Sequence, residues 1–355
     1  MQHLSTVWFV IDAIFWVGFF VLEGFDFGVG MLHSFVGKTD GERRVAINAI
    51  GPFWDGNEVW LVVAAAAIFA AFPGWYATMF STFYLAMVIL LLALIVRGVS
   101  FEYQRKVDDP RWRTTFRWTL TIGSALIPLL IGLALGDLVH GLPIDKAHNY
   151  TGGFFGLFTP FGVWTGVTFL VLSLFMGSTY LALKTTGTFH DRTARWSEWI
   201  GYLAVVVVLA FVLWTHVGVG SGFVPNPLEA FAVLAVIGAA WAASSMKEGW
   251  AFLAAALGMA ASVGSIFVEL YPRVFVSTTS AAYNLTVANT ASPSYTLKLM
   301  TVVAAIAFPL ILLYQGWSYH VFRARLGAPR QADPSVESEG TPTMTPVPAP
   351  PASDR

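Results

Sequence analysis

The feature that most restricts this chain is the recurrence of long apolar runs along most of its length. A helix needs roughly 20 apolar residues to cross a bilayer, at ~1.5 Å of rise per residue. By that measure nine spans are expected, near 6–30, 52–72, 76–96, 118–139, 160–183, 198–219, 228–246, 250–271 and 297–322. The second and third, and the seventh and eighth, are separated only by short breaks at Phe72-Pro73-Gly74 and Met246-Lys247-Glu248-Gly249. Charged residues make up 12% of the 355 positions, about half the share in a soluble domain. The fold class expected is an all-α polytopic membrane protein, and a net charge of -1 gives no reason to expect nucleic acid as a partner. The absence of cysteine excludes disulfides, thiolate metal sites, iron–sulfur clusters and Cys-attached haem. The first apolar run lacks a basic leader and reads as a retained span.

Lys and Arg set the expected orientation, since they concentrate in cytoplasmic loops. With the N-terminus outside, 17 of the 20 fall on the cytoplasmic side, leaving only Lys146, Arg273 and Lys298 outside. Residues 1–326 read as one transmembrane helical domain with a cytoplasmic C-terminus. Residues 327–355, rich in Pro, Ser and Thr, have too little apolar surface to fold and read as a disordered cytoplasmic tail. The outer segment 272–296 is long and almost uncharged, either an ordered cover or a mobile loop.

Ionisable groups inside apolar spans are costly and mark function by default. The stretch from Glu23 to Trp60 holds four of them, Glu23, Asp26, Asp55 and Glu58. Glu23 lies about 26 Å from the outer start of the first span and Asp55 about 27 Å from the outer end of the antiparallel second, so neighbouring helices would place both near the cytoplasmic side. Glu23 shares a helix face with Asp26, and Asp55 with Glu58. Crowded carboxylates can retain a proton between them and pass it on. The alternative is interfacial acids, hydrated or paired with Arg43 and Arg44.

Gly24 and Gly28 have the Gly-x-x-x-Gly spacing that lets another helix approach closely. Thr39-Asp40-Gly41-Glu42 fits a capping box opening a loop helix, which Gly51 and Pro52 then bend or break, aiming Trp54 and Asp55 into the bundle. The basic and aromatic residues at Arg97–Tyr103 and Arg111–Arg113 read as headgroup anchors or a partner contact. His140 and His216 end two spans on the outer face, where a bis-His haem is conceivable against the simpler reading of hydrated interfacial histidines. Asp12 and Glu269 have no neighbour in sequence that explains them.

The motifs Gly24-Phe25-Asp26-Phe27-Gly28-Val29-Gly30, Trp54-Asp55-Gly56-Asn57-Glu58-Val59-Trp60 and Arg97-x-x-x-Phe101-Glu102-Tyr103 resemble those of subunit II of cytochrome bd-type quinol oxidases. The likeness continues through Gly177-x-x-Tyr180-Leu181-x-x-Lys184-Thr185 and Pro309-Leu310-Ile311-Leu312-Leu313-Tyr314-x-x-Trp317, covering roughly residues 7–325. The resemblance implies two four-helix bundles plus one peripheral helix in a bacterial cytoplasmic membrane. It implies pseudo-symmetric pairing with subunit I, which carries two b-type haems, one d-type haem and the quinol site. Small single-span accessory subunits complete such complexes, and a lipoquinone within subunit II is left open. The complex oxidises quinol and reduces oxygen to water, building membrane potential without pumping.

On that resemblance Asp55 matches an aspartate of the cytoplasmic proton route, and Glu23 an acidic position where many members carry Asp, here with longer reach. Asp26 fits the motif, and Trp60 matches a tryptophan near the oxygen channel from lipid. Trp54, Asn57 and Arg97 fall in structural or partner-facing motif positions. Val276 departs from the pattern, standing where relatives often have a second proline. A proton-coupled secondary transporter is the alternative from another class. It would show paired broken helices near the midplane, whereas these acids cluster toward one side.

Overall fold

The computed structural model describes residues 2–104, 106–219 and 226–327. From residue 328 onward the segment expected to be a disordered tail lies outside the described residues. Among those described, nine helices are long and apolar enough to cross a membrane. They are α1 (Gln2–Val36), α3 (Trp54–Ala71), α5 (Tyr84–Tyr103), α6 (Pro110–His140), α7 (Pro160–Lys184), α8 (Gly187–Trp214), α9 (Pro227–Ser244), α10 (Glu248–Leu270) and α12 (Ser294–Val321). The shorter α2 (Asp40–Ile50), α4 (Pro73–Thr82) and α11 (Val287–Thr290) connect them.

Local chemistry sets where these helices begin. Proline opens α4, α6, α7 and α9, where its missing N–H costs no helical bond. Asp109, Thr159 and Asn226 cap three of those starts with side-chain oxygens. The expected capping box opens α2: Thr39 Oγ1 accepts from the Glu42 amide at 3.2 Å, and Glu42 Oε2 accepts from the Thr39 amide at 3.3 Å. Gly51 and Pro52 separate α2 from α3 as expected.

The third span differs from its expected bounds of 76–96. Two helices meet at Phe83, the short α4 and then α5. Phe83 leaves the helical geometry at φ -92 and ψ 18 and stacks on Phe275 at 6.3 Å. Thr78, Ser81 and Thr82 precede the break, but between Gly74 and Val96 no charged residue or proline interrupts the run, so hydropathy alone does not separate the two helices. Segment 272–296 is an ordered cover. Arg273–Phe275 pairs with Leu285–Thr286 as a small antiparallel ribbon, and Val274, Phe275 and Leu285 are buried. Val276 donates its amide to Leu138 O at 3.2 Å, a bond a proline there could not make.

α7 lies at the centre of the packing, against α1, α6, α8 and α10. Gly28 of α1 meets Gly177 of α7 so closely that a Cβ on Gly28 would stand 1.9 Å from Ser173 O. Gly24, by contrast, has ordinary clearance from Met176 at 3.4 Å. Tyr180 donates to Ala49 O at 2.9 Å, and Lys184 Nζ donates to the carbonyls of Phe322 and Ala324. The motif from Gly177 to Lys184 therefore ties α7 to α1, α2 and the segment after α12. α12 is the least enclosed span, resting on α1 and α3 with Leu310, Leu313, Tyr314 and Trp317 exposed.

Candidate functional site

Near the Lys/Arg-rich face, four helices bring polar side chains into one buried cluster. α1 contributes Glu23 and Asp26, α3 contributes Asn57 and Glu58, α5 contributes Arg97, and α12 contributes Gln315 and Tyr319. Glu23, Asp26, Asn57 and Arg97 are fully buried, and Glu58, Gln315 and Tyr319 are half-buried.

Arg97 is the hub. Its Nη1 donates to Glu58 Oε2 at 2.9 Å, and its Nη2 lies 2.6 Å from Glu23 Oε1. The guanidinium also stands over Phe27 at 4.9 Å, Phe101 at 5.2 Å and Trp54 at 6.0 Å, cation–π contacts that add to its hold on a desolvated charge. Trp54 itself stacks on Phe101 at 4.7 Å.

Asn57 is the second junction, and its amide uses every donor and acceptor it has. Nδ2 donates to Asp26 Oδ2 at 2.7 Å and to Leu22 O at 2.9 Å. Oδ1 accepts from Gln315 Nε2 at 2.6 Å and from the Tyr319 hydroxyl at 3.1 Å. Glu23 and Asp26 are three residues apart on α1, which puts both on the same helix face. Three carboxyls gathered near a single guanidinium, two of them in contact with it, form a site suited to holding an exchangeable proton.

The structure thus joins Glu23, Asp26 and Glu58 and leaves Asp55 outside. Asp55 stands exposed in the first turn of α3 and acts on Glu58 only through its charge. The bend at Gly51-Pro52 turns Trp54, but not Asp55, inward. Arg43 pairs with Asp40 at 2.7 Å rather than with the cluster acids. The cluster's cation is Arg97, which sequence reasoning had placed among headgroup anchors or partner contacts. Gln315 and Tyr319 were missed, although their spacing of four puts both on one face of an otherwise apolar span.

Trp60 is buried, 6.3 Å from Phe15 and 5.9 Å from Phe308, and it covers Gly18. It lines an apolar cavity of about 210 Å³ between α3 and α12 that reaches Gln315. A second cavity of about 440 Å³ shares Phe15, Val63, Phe308 and Ile311 with it and continues to Trp8 and Leu299.

Elsewhere, Glu269 accepts from Asn226 Nδ2 at 2.8 Å, which accounts for its place. Asp12 is buried, and neither carboxyl oxygen has a donor among the described residues. Asp137, not singled out from sequence, is buried and accepts from Thr159 Oγ1 at 2.5 Å. His140 is exposed and stacks on Phe161 at 6.2 Å, while His216 Nδ1 lies 3.9 Å from Glu229. No histidine lines the apolar cavities along α3, α5 and α12. Among the described residues no three His, Asp or Glu side chains are grouped to hold a metal.

Residues 4–322 match the family model for cytochrome bd terminal oxidase subunit II. The chain is 42% identical over 330 residues to cytochrome bd ubiquinol oxidase subunit 2 of Bacillus subtilis (strain 168), covering 92% of this chain and 98% of that one. It is 35% identical over 355 residues to cytochrome bd-I ubiquinol oxidase subunit 2 of Escherichia coli (strain K12), covering 90% and 94%. In fold it is similar to a chain in the structure of bd oxidase from Geobacillus thermodenitrificans, with TM-score 0.69 at 16% identity over 90% of this chain and 97% of that chain. With its nine apolar helices, this chain belongs to the subunit II family of cytochrome bd terminal oxidases, multi-pass proteins of the bacterial inner membrane.

Proposed function

We propose that this chain is the haem-free partner of subunit I in a complex that oxidises membrane quinol and reduces oxygen, and that its acid cluster supplies protons to that reaction. The observation that carries the reading is a guanidinium paired with two carboxyls, buried at Glu23 and half-open at Glu58, with a third, Asp26, held beside them by Asn57. With the Lys/Arg-rich face in the cytoplasm, exposed Asp55 is the collecting group. Glu58, three residues on, is the threshold. Glu23 and Asp26 hold the proton inside, with Asn57 fixing Asp26.

Haem in subunit I carries the electrons, and the residues here only bind, hold and pass protons toward it. The histidine partners described above support the assignment of haem to the other chain. The apolar cavities beside Trp60 support an oxygen path, because oxygen is apolar and concentrates in lipid. A further apolar cavity of about 350 Å³ beside Trp16, Phe83 and Leu135 suits part of an isoprenoid tail, the most that this chain offers a lipoquinone. Quinol as reductant and small single-span subunits as neighbours belong to the same reading.

Asp55→Asn and Glu58→Gln in the purified complex test it. Oxygen turnover per haem falls by roughly tenfold or more, as expected when a proton-transfer group is lost, while the yield of assembled complex stays near wild type. Full turnover in both variants overturns the proton route. Loss of assembly with normal turnover per assembled haem assigns the acids to holding the helices together instead.

A further inference from the structure

Arg43 and Arg44 of α2 and Arg113 and Arg117 of α6 converge on a small cavity of about 40 Å³ at the Lys/Arg-rich face, with Asp40 and Gln104 in its wall. Only one carboxylate therefore lines a space bordered by four guanidinium groups. Asp40 is engaged by Arg43 at 2.7 Å and Arg113 at 3.9 Å, and Arg113 also pairs with Asp108. Among the described residues Arg44 and Arg117 have no carboxylate partner, and the Nε groups of Arg43 and Arg117 are buried without an acceptor. Converging like charges with unmet donors call for an anion, and planar guanidinium forks match the oxygens of a phosphate.

α6, which brings Arg113 and Arg117 to this cavity, also forms one wall of an apolar groove further along its length. Gln104 caps the end of α5, which forms the other wall, and Arg117 lies seven residues into α6. The groove, of about 240 Å³, runs between Ile89, Leu92 and Val96 on α5 and Thr119, Ile122 and Leu126 on α6. Along α6 it begins at Thr119, about 3 Å beyond Arg117 and about 9 Å beyond Arg113 at ~1.5 Å of rise per residue, a range that includes the offset between a phospholipid's phosphate and its acyl chains. Exposed Phe35 and Trp118 pack edge to face at 6.0 Å beside Arg117, marking the depth of the lipid headgroups. We infer that the cavity and groove together form a built site for one anionic phospholipid, its phosphate on Arg44, Arg113 and Arg117 and an acyl chain between α5 and α6. Basic pockets beside membrane helices recognise headgroups in this way.

Native mass spectrometry of the intact oxidase complex in mild detergent tests this, titrating dioleoyl phosphatidylglycerol, dioleoyl phosphatidylcholine or inorganic phosphate. The wild type retains phosphatidylglycerol in preference to phosphatidylcholine, and millimolar inorganic phosphate does not displace it. Arg117→Gln and Arg44→Gln each weaken that retention by roughly tenfold or more, the effect of deleting one charge-assisted hydrogen bond. Ile122→Trp fills the groove without changing charge and causes a loss of similar size. Equal retention in wild type and all three variants overturns the site. Inorganic phosphate that displaces the lipid, with Ile122→Trp silent, makes it a free-anion site and also overturns the assignment. Should Arg117→Gln not assemble, exposed Arg44 and Ile122 carry the same comparison.

Discussion

Arg97 shows how much a single side chain can decide in a low-dielectric setting. It is fully buried, contacts two acids and leans on three aromatic rings. Arg97→Met leaves fully buried Glu23 without a cation, and stranding one partner of a buried pair costs about 3–5 kcal/mol. The expected outcome is a sharp fall in the thermal midpoint of the purified complex, partly restored by adding Glu23→Gln. Arg97→Met with an unchanged midpoint would show that the pair carries no stability. Glu23, Asp26 and Glu58 were legible in the sequence because a charge inside an apolar run has few innocent explanations. Arg97 was not, because six residues from a helix end is equally the place of an arginine reaching to headgroups. Asp55 and Glu58 share a face by spacing, yet only Glu58 turns inward. The rotation of α3 that separates them is set by Asn57, gripped from α1 and α12, and no local pattern encodes it.

At the level of elements, contact between α1 and α7 depends on backbone meeting backbone. Gly28→Ala would put a Cβ 1.9 Å from Ser173 O and 2.7 Å from Gly177 Cα, so α1 has to shift, and loss of assembled complex is expected on purification. Gly238→Ala on α9 meets nothing within 4 Å and is expected to hold or raise the thermal midpoint by favouring the helix. Equal behaviour of the two would refute close approach as the reason for Gly28. The glycine spacing was visible in sequence, but which glycine is in contact was not: Gly24 has room and Gly28 has none. Around α2, burial favours a proton on Glu42, and this is outweighed by hydrogen bonds from the Lys38 amide, the Arg192 guanidinium and the Thr39 amide. The carboxyl is held below its ordinary 4.5. A lowered value means its stabilisation is present above the ordinary value and is lost as pH falls through the folded one. Hydrogen-exchange protection of α2 should therefore drop on acidification below about pH 4.5, and Glu42→Gln should remove that dependence.

For the whole molecule, hydropathy located nine spans because each must be apolar for most of its length, and it missed the division at Phe83, where neither a charge nor a proline interrupts the run. The charge bias predicts sidedness, and a chain without cysteine offers a clean way to measure it. Thr279→Cys and Thr186→Cys, both exposed and on opposite faces, should react selectively with a membrane-impermeant maleimide in spheroplasts, Thr279→Cys labelled and Thr186→Cys protected. The reverse pattern would invert the topology and with it the side from which protons are drawn. The outer placement of α12 has a consequence for how the protein is made. Asn57 is translated early and inserts with α3, but two of its four hydrogen bonds come from Gln315 and Tyr319, more than 250 residues later in the chain. Until the ribosome has released α12, Asn57 lacks both donors to its oxygen, so the polar centre is completed only when the ninth span arrives. A chain cut short before Gln315 would expose that vacancy to the membrane's quality-control proteases, making the last span a seal on a finished subunit.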